Sequence, residues 1–443
     1  MSTSEMPEQS EPVATRWVAR IFGARREEYS AAAWSFTYFF CLLGSYYILR
    51  PVREAMGVAS GPETIPYLFA GTFVTMLAIT PLFGWVTSRY PRKKFLPWVY
   101  FFFALNILIF WALFTYFIGS GLDYVWLGRV FFVWISVFNL FVVSVFWSFM
   151  ADLFTREQAR RLFGMITAGG SIGALLGGLA TRALVVPIGF ENLFPFSATL
   201  LLISIYCIYR LRHWVELFGT DSDGASVVSE RPLGGSPFAG ITHVFRSPYF
   251  LAIAAKSIIA SLLGTALYMF TAELAQDAFA NANERTRFFS DVNNATNAIA
   301  LILQLVVVKQ SVSRLGIGIT LSMMPIISIV GFAVLALEPS LAFVAILTVA
   351  RRSMGFGFSK PTSDMLYSVV TPEEKYKVKN FIDTVVYRGG DVIGTWSIRL
   401  LLAGFGMAGT SVFMLPFAAI WAGVSLWLGK DYKRRAKEGH SHA

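Results

Sequence analysis

Apolar segments long enough to cross a membrane recur about twelve times along this chain. Only 14% of the residues are charged and 55% are hydrophobic, which is far from the average for soluble proteins. The chain is therefore expected to be an all-α integral membrane protein. The predicted transmembrane helices are 31–58, 64–88, 95–118, 123–152, 159–187, 193–212, 249–277, 286–310, 314–337, 339–369, 378–403 and 407–429.

Basic residues concentrate in alternate connections between these helices, and short basic loops resist translocation. The opposite set of loops contains little beyond Arg182, Arg285 and Arg287. We therefore expect both termini in the cytoplasm, with the protein in a bacterial inner (cytoplasmic) membrane and the lipid bilayer as its surroundings. This placement also accounts for the net charge of +10, so a nucleic acid polymer is not an expected partner.

The longest internal connection contains Thr220-Asp-Ser-Asp-Gly and Leu233-Gly-Gly-Ser-Pro, a composition typical of flexible linkers. It divides the spans into two pseudo-symmetric bundles of six, and two such halves are typical of secondary transporters. The predicted organisation is a cytoplasmic segment at 1–30, a first bundle at 31–212, a linker at 213–248, a second bundle at 249–429 and a tail at 430–443.

A glycine followed by a basic cluster connects the second and third predicted helices, in the order Gly84, Arg89, Arg92 and Lys93. This spacing resembles the G-x-x-x-D-R-x-x-R-K signature of the major facilitator superfamily at the same position. Ser88 replaces the usual aspartate, and Pro91 replaces the usual glycine. The resemblance implies a twelve-helix transporter fold, in which these four residues form part of a cytoplasmic gate.

The segment from Lys377 to Arg388 is similar to the K-G-K-A-A-I-D-x-x-x-x-R stretch of the nucleotide transporter (ATP/ADP antiporter) family. Leu49-Arg-Pro-Val-Arg-Glu resembles that family's L-R-D-T-K-D, with Arg53 in place of the lysine. The resemblance implies exchange of nucleotides and adds Lys377 and Lys379 to the candidate substrate contacts.

Glycines recur at Gly169, Gly173 and Gly177, so one face of the fifth helix lacks side chains. Small residues at this spacing favour close helix packing. Thr155-Arg-Glu-Gln before the fifth helix and Thr371-Pro-Glu-Glu before the eleventh are similar. This similarity suggests an internal repeat that relates the two halves.

Charged residues are costly inside a bilayer, so those retained in the predicted helices are candidates for function. Basic groups outnumber the acidic groups near them, which favours a small anionic substrate that forms charge-assisted hydrogen bonds. Local pairing competes with this role, because Arg50 and Glu54, Lys360 and Asp364, and Lys379 and Asp383 are each four residues apart. Arg388 and Asp391 are three apart. The candidate substrate contacts are Arg50, Arg53, Arg129, Lys360, Lys377, Lys379 and Arg388.

Carboxylates in the same helices are candidates for coupling transport to protons, since a carboxyl group in a low dielectric binds a proton more readily. These are Glu54, Asp291, Asp364, Asp383 and Asp391. On the eighth helix Asn293, Asn297 and Gln304 form a polar stripe. Such a stripe suits either a polar ligand or bonds between helices.

Enzymatic signatures are not found in the sequence. It contains no Gly-x-x-x-x-Gly-Lys-Ser/Thr loop, no cluster of histidine and cysteine, and no nucleophile beside a histidine. We therefore expect no catalytic residue, cofactor or metal, and we expect a monomer. The leading hypothesis is a secondary transporter for an organic anion, such as a nucleotide or phosphorylated metabolite. The alternatives are a drug or lipid exporter of the same fold, and a non-transporting membrane receptor or assembly factor.

Overall fold

The computed structural model describes residues 28–89, 92–218, 241–306 and 308–441, and helices make up most of these ranges. Six long helices precede the gap at 219–240, each close to its predicted position. The sixth continues to Phe218, past its predicted end at residue 212. They are α1 (Tyr29–Ala59), α2 (Ile65–Arg89), α3 (Arg92–Gly119), α4 (Val125–Leu153), α5 (Arg156–Ile188) and α6 (Phe194–Phe218).

Six more helices follow a short helix at Ile241–Arg246. They are α7 (Pro248–Ala278), α8 (Ala282–Val306), α9 (Val308–Leu337), α10, α11 and α12. Two of them contain π-helical turns: α10 runs through Leu341–Met354, Gly355–Ser359, Lys360–Met365 and Leu366–Val369, and α11 begins with Pro372–Phe381 and Ile382–Val386. The remaining helical segment, Tyr387–Ser441, has a non-helical residue at Gly406 that separates α11 from α12.

The prediction of an all-α membrane protein with about twelve spans is confirmed. Within the described residues, ten helical segments are long and apolar enough to cross a membrane. One of these, Lys377–Lys437, contains both α11 and α12. The polar helix α8 is not among the ten, yet its 25 residues extend over about 37 Å, which is enough to span the hydrocarbon core.

Helices α5 and α11 begin in the same way. The hydroxyl of Thr155 accepts a hydrogen bond from the backbone N–H of Gln158, and the Gln158 side chain accepts one from the N–H of Thr155. Thr371 and Glu374 form the same reciprocal pair before α11. Such capping boxes satisfy two backbone donors that a helix start leaves unpaired. The similarity between these two sequence segments thus corresponds to a shared local structure.

The glycine face of α5 packs directly on the backbone of α1. A Cβ atom added to Gly169, Gly173 or Gly177 would lie 2.6, 2.1 or 2.5 Å from the carbonyl oxygens of Phe36, Phe40 and Gly44 respectively. Because both series advance by four residues, the two helices stay close over two full turns. On α11, Gly390 faces Ser261 of α7, so a glycine also permits the approach of α11 to α7.

The buried apolar residues of the described chain form three clusters. The first joins residues of α1 to α6, and includes the fully buried Tyr38, Phe131, Phe138 and Phe146. The second joins mainly residues of α7 to α12, and includes Phe270, Phe332 and Trp421. The third also belongs to the second half, and includes Tyr249 and Phe250 of α7 and Leu366 of α10. The separation agrees with two bundles of six. The exact boundaries at 31–212 and 249–429 stay a prediction, since most of the linker lies outside the described residues.

The two halves meet at the end of the bundle away from the termini, which we call the far end. The Ser290 hydroxyl of α8 donates to the Gly178 carbonyl of α5 at 2.6 Å. The Arg399 guanidinium of α11 donates to the Glu63 carbonyl at 3.0 Å. Arg182 of α5 and Asp291 of α8 form an ion pair between the halves. These contacts hold the halves together at the far end. We call the opposite end, where α1 begins and α12 ends, the terminal end.

Candidate functional site

Helix α1 brings a buried ion pair and a second arginine to the middle of the bundle. Arg53 donates to the Glu54 carboxylate at 2.8 Å, and its guanidinium lies 3.8 Å from the centre of the Phe132 ring. Arg50 instead donates to the Tyr47 hydroxyl at 3.0 Å. The predicted pair of Arg50 with Glu54 is therefore wrong. The physical reason is that Tyr47 takes the Arg50 donor, while Phe132 supports Arg53 beside the carboxylate.

Helix α11 contributes the predicted pair of Arg388 and Asp391, at 3.6 Å. The Ser261 hydroxyl of α7 donates a second bond to Asp391 at 2.6 Å, which fixes the carboxylate between α7 and α11. Arg53, Arg388 and Asp391 line one small cavity. Residues of α2 close it. The structure therefore brings together the arginines that the two nucleotide-transporter-like segments contain.

Helix α10 carries two adjacent arginines with different surroundings. Arg351 is only 3% exposed and donates to the Ala260 carbonyl of α7 at 3.3 Å, so it joins two helices of the same half. Arg352 lies within electrostatic range of Arg50 and Glu54. It makes no hydrogen bond or ion pair within the described residues. Consecutive residues point about 100° apart on a helix, which explains how one faces the core and the other the centre.

Arg352 is the residue that the set of predicted substrate contacts omitted. The sequence did contain a signal, namely two adjacent arginines on one helix. Only one of two adjacent residues can face a given neighbouring helix, so the other must face elsewhere. The sequence did not show which of the two arginines faces the interface between the halves. Together with Arg50, Arg53, Arg388, Glu54 and Asp391, Arg352 forms what we call the arginine centre.

The arginine centre contains four guanidinium groups and two carboxylates, so positive charge exceeds negative charge by two. Arg53 is paired with Glu54, and Arg388 is 3.6 Å from Asp391. The donors of Arg50 and Arg352 are not used by any carboxylate within the described residues. Guanidinium groups in a low dielectric bind phosphate and carboxylate through paired hydrogen bonds. The arrangement is therefore suited to an anion.

Four charged residues form a second cluster at the terminal end, which we call the lysine–aspartate quartet. Lys360 lies 3.6 Å from Asp364 and 2.8 Å from Asp383, and Lys379 lies 2.8 Å from Asp364. The predicted pair of Lys360 with Asp364 is present. The predicted pair of Lys379 with Asp383 is wrong, because α11 widens into a π-helical turn at Ile382–Val386 and loses the spacing that the pair needs.

The remaining predicted contacts lie elsewhere. Lys377 is on the first turns of α11, two residues before Lys379. Arg129 lies near the far end of α4 and points toward the connection between α1 and α2, where it is 3.4 Å from the Ser60 carbonyl and from the Thr64 hydroxyl. The coupling candidate Asp291 is in the ion pair with Arg182.

The gate residues Gly84 and Arg89 belong to α2, and Arg92 and Lys93 to α3. Their side chains lie outside the described residues, as do residues 90 and 91. Their role in a gate stays a prediction.

The polar residues of α8 have different surroundings. Asn294 is close to Gly178 of α5, where a Cβ atom would lie 2.0 Å from its amide oxygen. Asn293 and Asn294 are 2% and 8% exposed, and their amide groups have no hydrogen-bond partner within the described protein. Gln304, in contrast, donates to the Phe356 carbonyl. The buried amides therefore offer unused donors and acceptors near the centre of the molecule.

Comparison with known proteins agrees with this architecture. The sequence model described as the Major Facilitator Superfamily matches residues 35–395. ADP,ATP carrier protein 2 of Chlamydia pneumoniae is 21% identical over 479 aligned positions, which cover 89% of this chain and 87% of that protein.

Solved structures share the fold at low sequence identity. One is a bacterial homologue of the iron transporter ferroportin in an inward-facing state, with a TM-score of 0.62 and 14% identity over 91% of this chain and 98% of that one. Another is the nucleoside transporter NupG, with a TM-score of 0.53 and 15% identity over 93% and 100%. The fold described above is thus one that solved membrane transporters have.

Proposed function

This chain belongs to the Major Facilitator Superfamily, and we propose that it carries an organic anion, such as a nucleotide or another phosphorylated metabolite, across the membrane. The proposal depends above all on the arginine centre, in which two guanidinium groups have no carboxylate partner within the described residues. A buried cation without a counter-ion is unfavourable, and a bound anion would remove that cost. The similarity to an ADP,ATP carrier supports a nucleotide as the first anion to test.

The transport mechanism we propose is alternating access around this centre. Contacts at the far end hold the halves together there, so an anion would reach Arg50 and Arg352 from the terminal end. Rocking of the halves would then break the Arg182–Asp291 pair and open the far end. If the termini are cytoplasmic, as the basic loops predict, the structure corresponds to an inward-facing state.

Exchange is the coupling mode that we favour. Each candidate carboxylate has a cationic partner within 4 Å in this conformation, from Glu54 with Arg53 to Asp391 with Arg388. Proton coupling would require one of these carboxylates to leave its partner and bind a proton during the cycle. Exchange requires only that one anion replaces another on the arginines.

Transport into proteoliposomes tests the proposal. Uptake of labelled ATP, ADP and inorganic phosphate would be compared with and without unlabelled counter-substrate inside. Wild type would be compared with Arg388→Ala and with Arg210→Ala, a matched control whose arginine lies over Trp34, outside the arginine centre. We expect counter-substrate to stimulate uptake, and only Arg388→Ala to reduce it strongly at substrate concentrations below the KM of wild type. Absence of flux for every anion in folded protein would refute the proposal.

A drug or lipid exporter of the same fold is the second candidate. Exposed aromatic residues such as Trp98 and Trp126 suit contact with apolar molecules, although they equally suit the bilayer. Such an exporter would move lipids or organic cations and would keep that activity in Arg388→Ala. The same vesicles, loaded with a fluorescent cation or lipid, distinguish the two functions.

A further inference from the structure

A long groove runs between α2 and α4, separate from the arginine centre. Its volume is about 740 Å³, which lies within the range of ligand pockets. On α2 it is lined by Tyr67, Leu68, Thr75 and Ile79, whereas Phe69 and Phe73 on another face of the same helix line the cavity beside Arg53. The groove and the arginine centre are therefore on different sides of α2.

The exposure of its lining residues places the groove on the outside of the bundle. Trp126 is 72% exposed, Tyr67 59% and Val130 58%. On the neighbouring side, Phe103 and Phe110 of α3 contact the ring of Trp134, another lining residue. Apolar side chains exposed on the outside of a membrane-spanning bundle face the hydrocarbon of the bilayer. The groove is thus open to lipid rather than to water.

The length of the groove corresponds to one leaflet. Its residues on α2 extend from Tyr67 to Ile79, a distance of about 18 Å along the helix. Half of a bilayer core measures about 15 Å, so the groove crosses the leaflet at the far end and ends just past the bilayer midplane. All but a small part of its wall is apolar, as the packing of an acyl chain requires.

Arg129 lies at the interfacial end of this groove. Its guanidinium has only two long bonds of 3.4 Å, to Ser60 and Thr64, and lies 4.5 Å from the centre of the Trp126 ring. Its buried Nε has no partner, and no carboxylate lies within 4 Å of it among the described residues. A cation at the level of the headgroups, next to an apolar groove, has the chemistry that binds a lipid phosphate.

We propose that this groove binds one glycerophospholipid with an anionic headgroup. One acyl chain lies along Leu68, Val133 and Val137, and the phosphate accepts hydrogen bonds from Arg129. The lipid fills the space between α2 and α4 and supplies the counter-charge that Arg129 otherwise lacks. Arg129 is then a lipid contact, which explains why the fold keeps it away from the other predicted substrate contacts.

The test compares lipid binding by purified protein in neutral detergent. Phosphatidylglycerol and phosphatidylcholine would be titrated while thermal unfolding and native mass spectra are recorded. We expect wild type to bind phosphatidylglycerol roughly tenfold more tightly than phosphatidylcholine. Both lipids present a phosphate to Arg129, but the quaternary ammonium of phosphatidylcholine offsets the phosphate charge and repels the guanidinium. Arg129→Gln should lose this preference while keeping some affinity for both lipids. Val130→Trp, which fills the groove, should weaken both.

Arg399→Gln is the matched control, since Arg399 lies at the same end of the membrane but binds the Glu63 carbonyl instead of lining the groove. It should retain the preference for phosphatidylglycerol. Because the two lipids are compared within each variant, a general loss of stability does not change the result. An unchanged preference in Arg129→Gln overturns the proposal. So does an equal response of wild type to glycerol 3-phosphate, which would indicate a site for a free anion.

Discussion

The arginine centre and the lysine–aspartate quartet are both clusters of charge within the helices, but their charges are balanced differently. Within the quartet two cations and two carboxylates pair with one another within 4 Å. The neighbouring Lys256 donates to the Ser363 hydroxyl at 2.6 Å and stays outside these pairs. The arginine centre has four cations and two carboxylates. A balanced cluster uses its charges on itself, whereas an unbalanced one keeps donors for a ligand. Pairing of charges within a cluster therefore distinguishes a structural role from a ligand-binding role better than the number of charged residues does.

The two clusters also differ in how far their side chains are exposed to water. In the arginine centre the side chains of Arg53, Glu54 and Asp391 are 16%, 8% and 12% exposed, and that of Arg388 at its edge is 43% exposed. In the quartet those of Lys360 and Asp383 are 54% and 46% exposed, so water screens the pair. The π-helical turns of α10 and α11 adjoin the quartet, and such turns are often found at functional sites. We interpret the quartet as a connection between α10 and α11 that adjusts as the halves move.

The largest expected effect is on substrate binding at the arginine centre. Arg388→Ala should raise the KM for a transported anion about 100-fold, because a hydrogen bond to a charged group contributes about 2–3 kcal/mol. Arg388→Lys should recover part of the loss. Uptake kinetics in proteoliposomes measure both. Folding should persist, because Asp391 keeps its bond from Ser261. Equal KM values in wild type and Arg388→Ala would contradict a ligand role for this arginine.

A smaller effect is expected from the balanced cluster. Lys360→Asp should slow transport about fivefold, since it places three carboxylates together, and a half-exposed pair contributes about 1 kcal/mol at most. The double variant Lys360→Asp with Asp383→Lys restores the balance and should restore the rate. Turnover with saturating substrate is the measurement. If the double variant is as slow as the single one, Lys360 has a role besides pairing.

The ion pair of Arg182 with Asp291 joins the two halves, and removing it tests whether it holds the far end closed. Asp291→Asn removes the charge that holds Arg182, so it should favour the state that is open at the far end. The pair is about half exposed, which limits the change in population to a few-fold. Distances between spin labels on α5 and α8 report this population, and Glu284→Gln on the same helix serves as the control. An unchanged distance distribution would show that the pair does not hold the far end closed.

The smallest expected effect concerns ionic strength. Raising salt from 0.05 to about 0.5 M shortens the screening length severalfold. The stability difference between wild type and Asp383→Asn should then shrink by a few tenths of a kcal/mol, whereas that between wild type and Glu54→Gln should stay constant. Thermal unfolding at the two salt concentrations tests this contrast. Equal salt dependence would mean that burial does not distinguish the clusters.

Local sequence patterns predicted some contacts correctly and others wrongly, and the reason differs from case to case. The pairs Lys360–Asp364 and Arg388–Asp391 formed as their helical spacing predicts. The pair of Lys379 with Asp383 did not, because a π-helical turn breaks that spacing. The pair of Arg50 with Glu54 failed for another reason: aromatic side chains compete for the same guanidinium. Rules based on a regular helix hold only while the helix is regular and no neighbouring side chain competes for the same partner.

The sequence by itself determined the membrane location of the helices, their approximate number, and the close approach of a neighbouring helix to the glycine face of α5. The length of an apolar segment, the hydrogen bonding of its backbone within a helix, and a face of glycines without side chains are properties of a single segment. They can therefore be predicted from the local sequence. Only the tertiary structure decided which charges meet. It brought Arg352 within electrostatic range of Arg50 and Arg129 to the groove between α2 and α4. It also joined Lys379 to Asp364, and Lys360 to both Asp364 and Asp383. Electrostatic partners are chosen by distances between helices, and a linear sequence does not contain those distances.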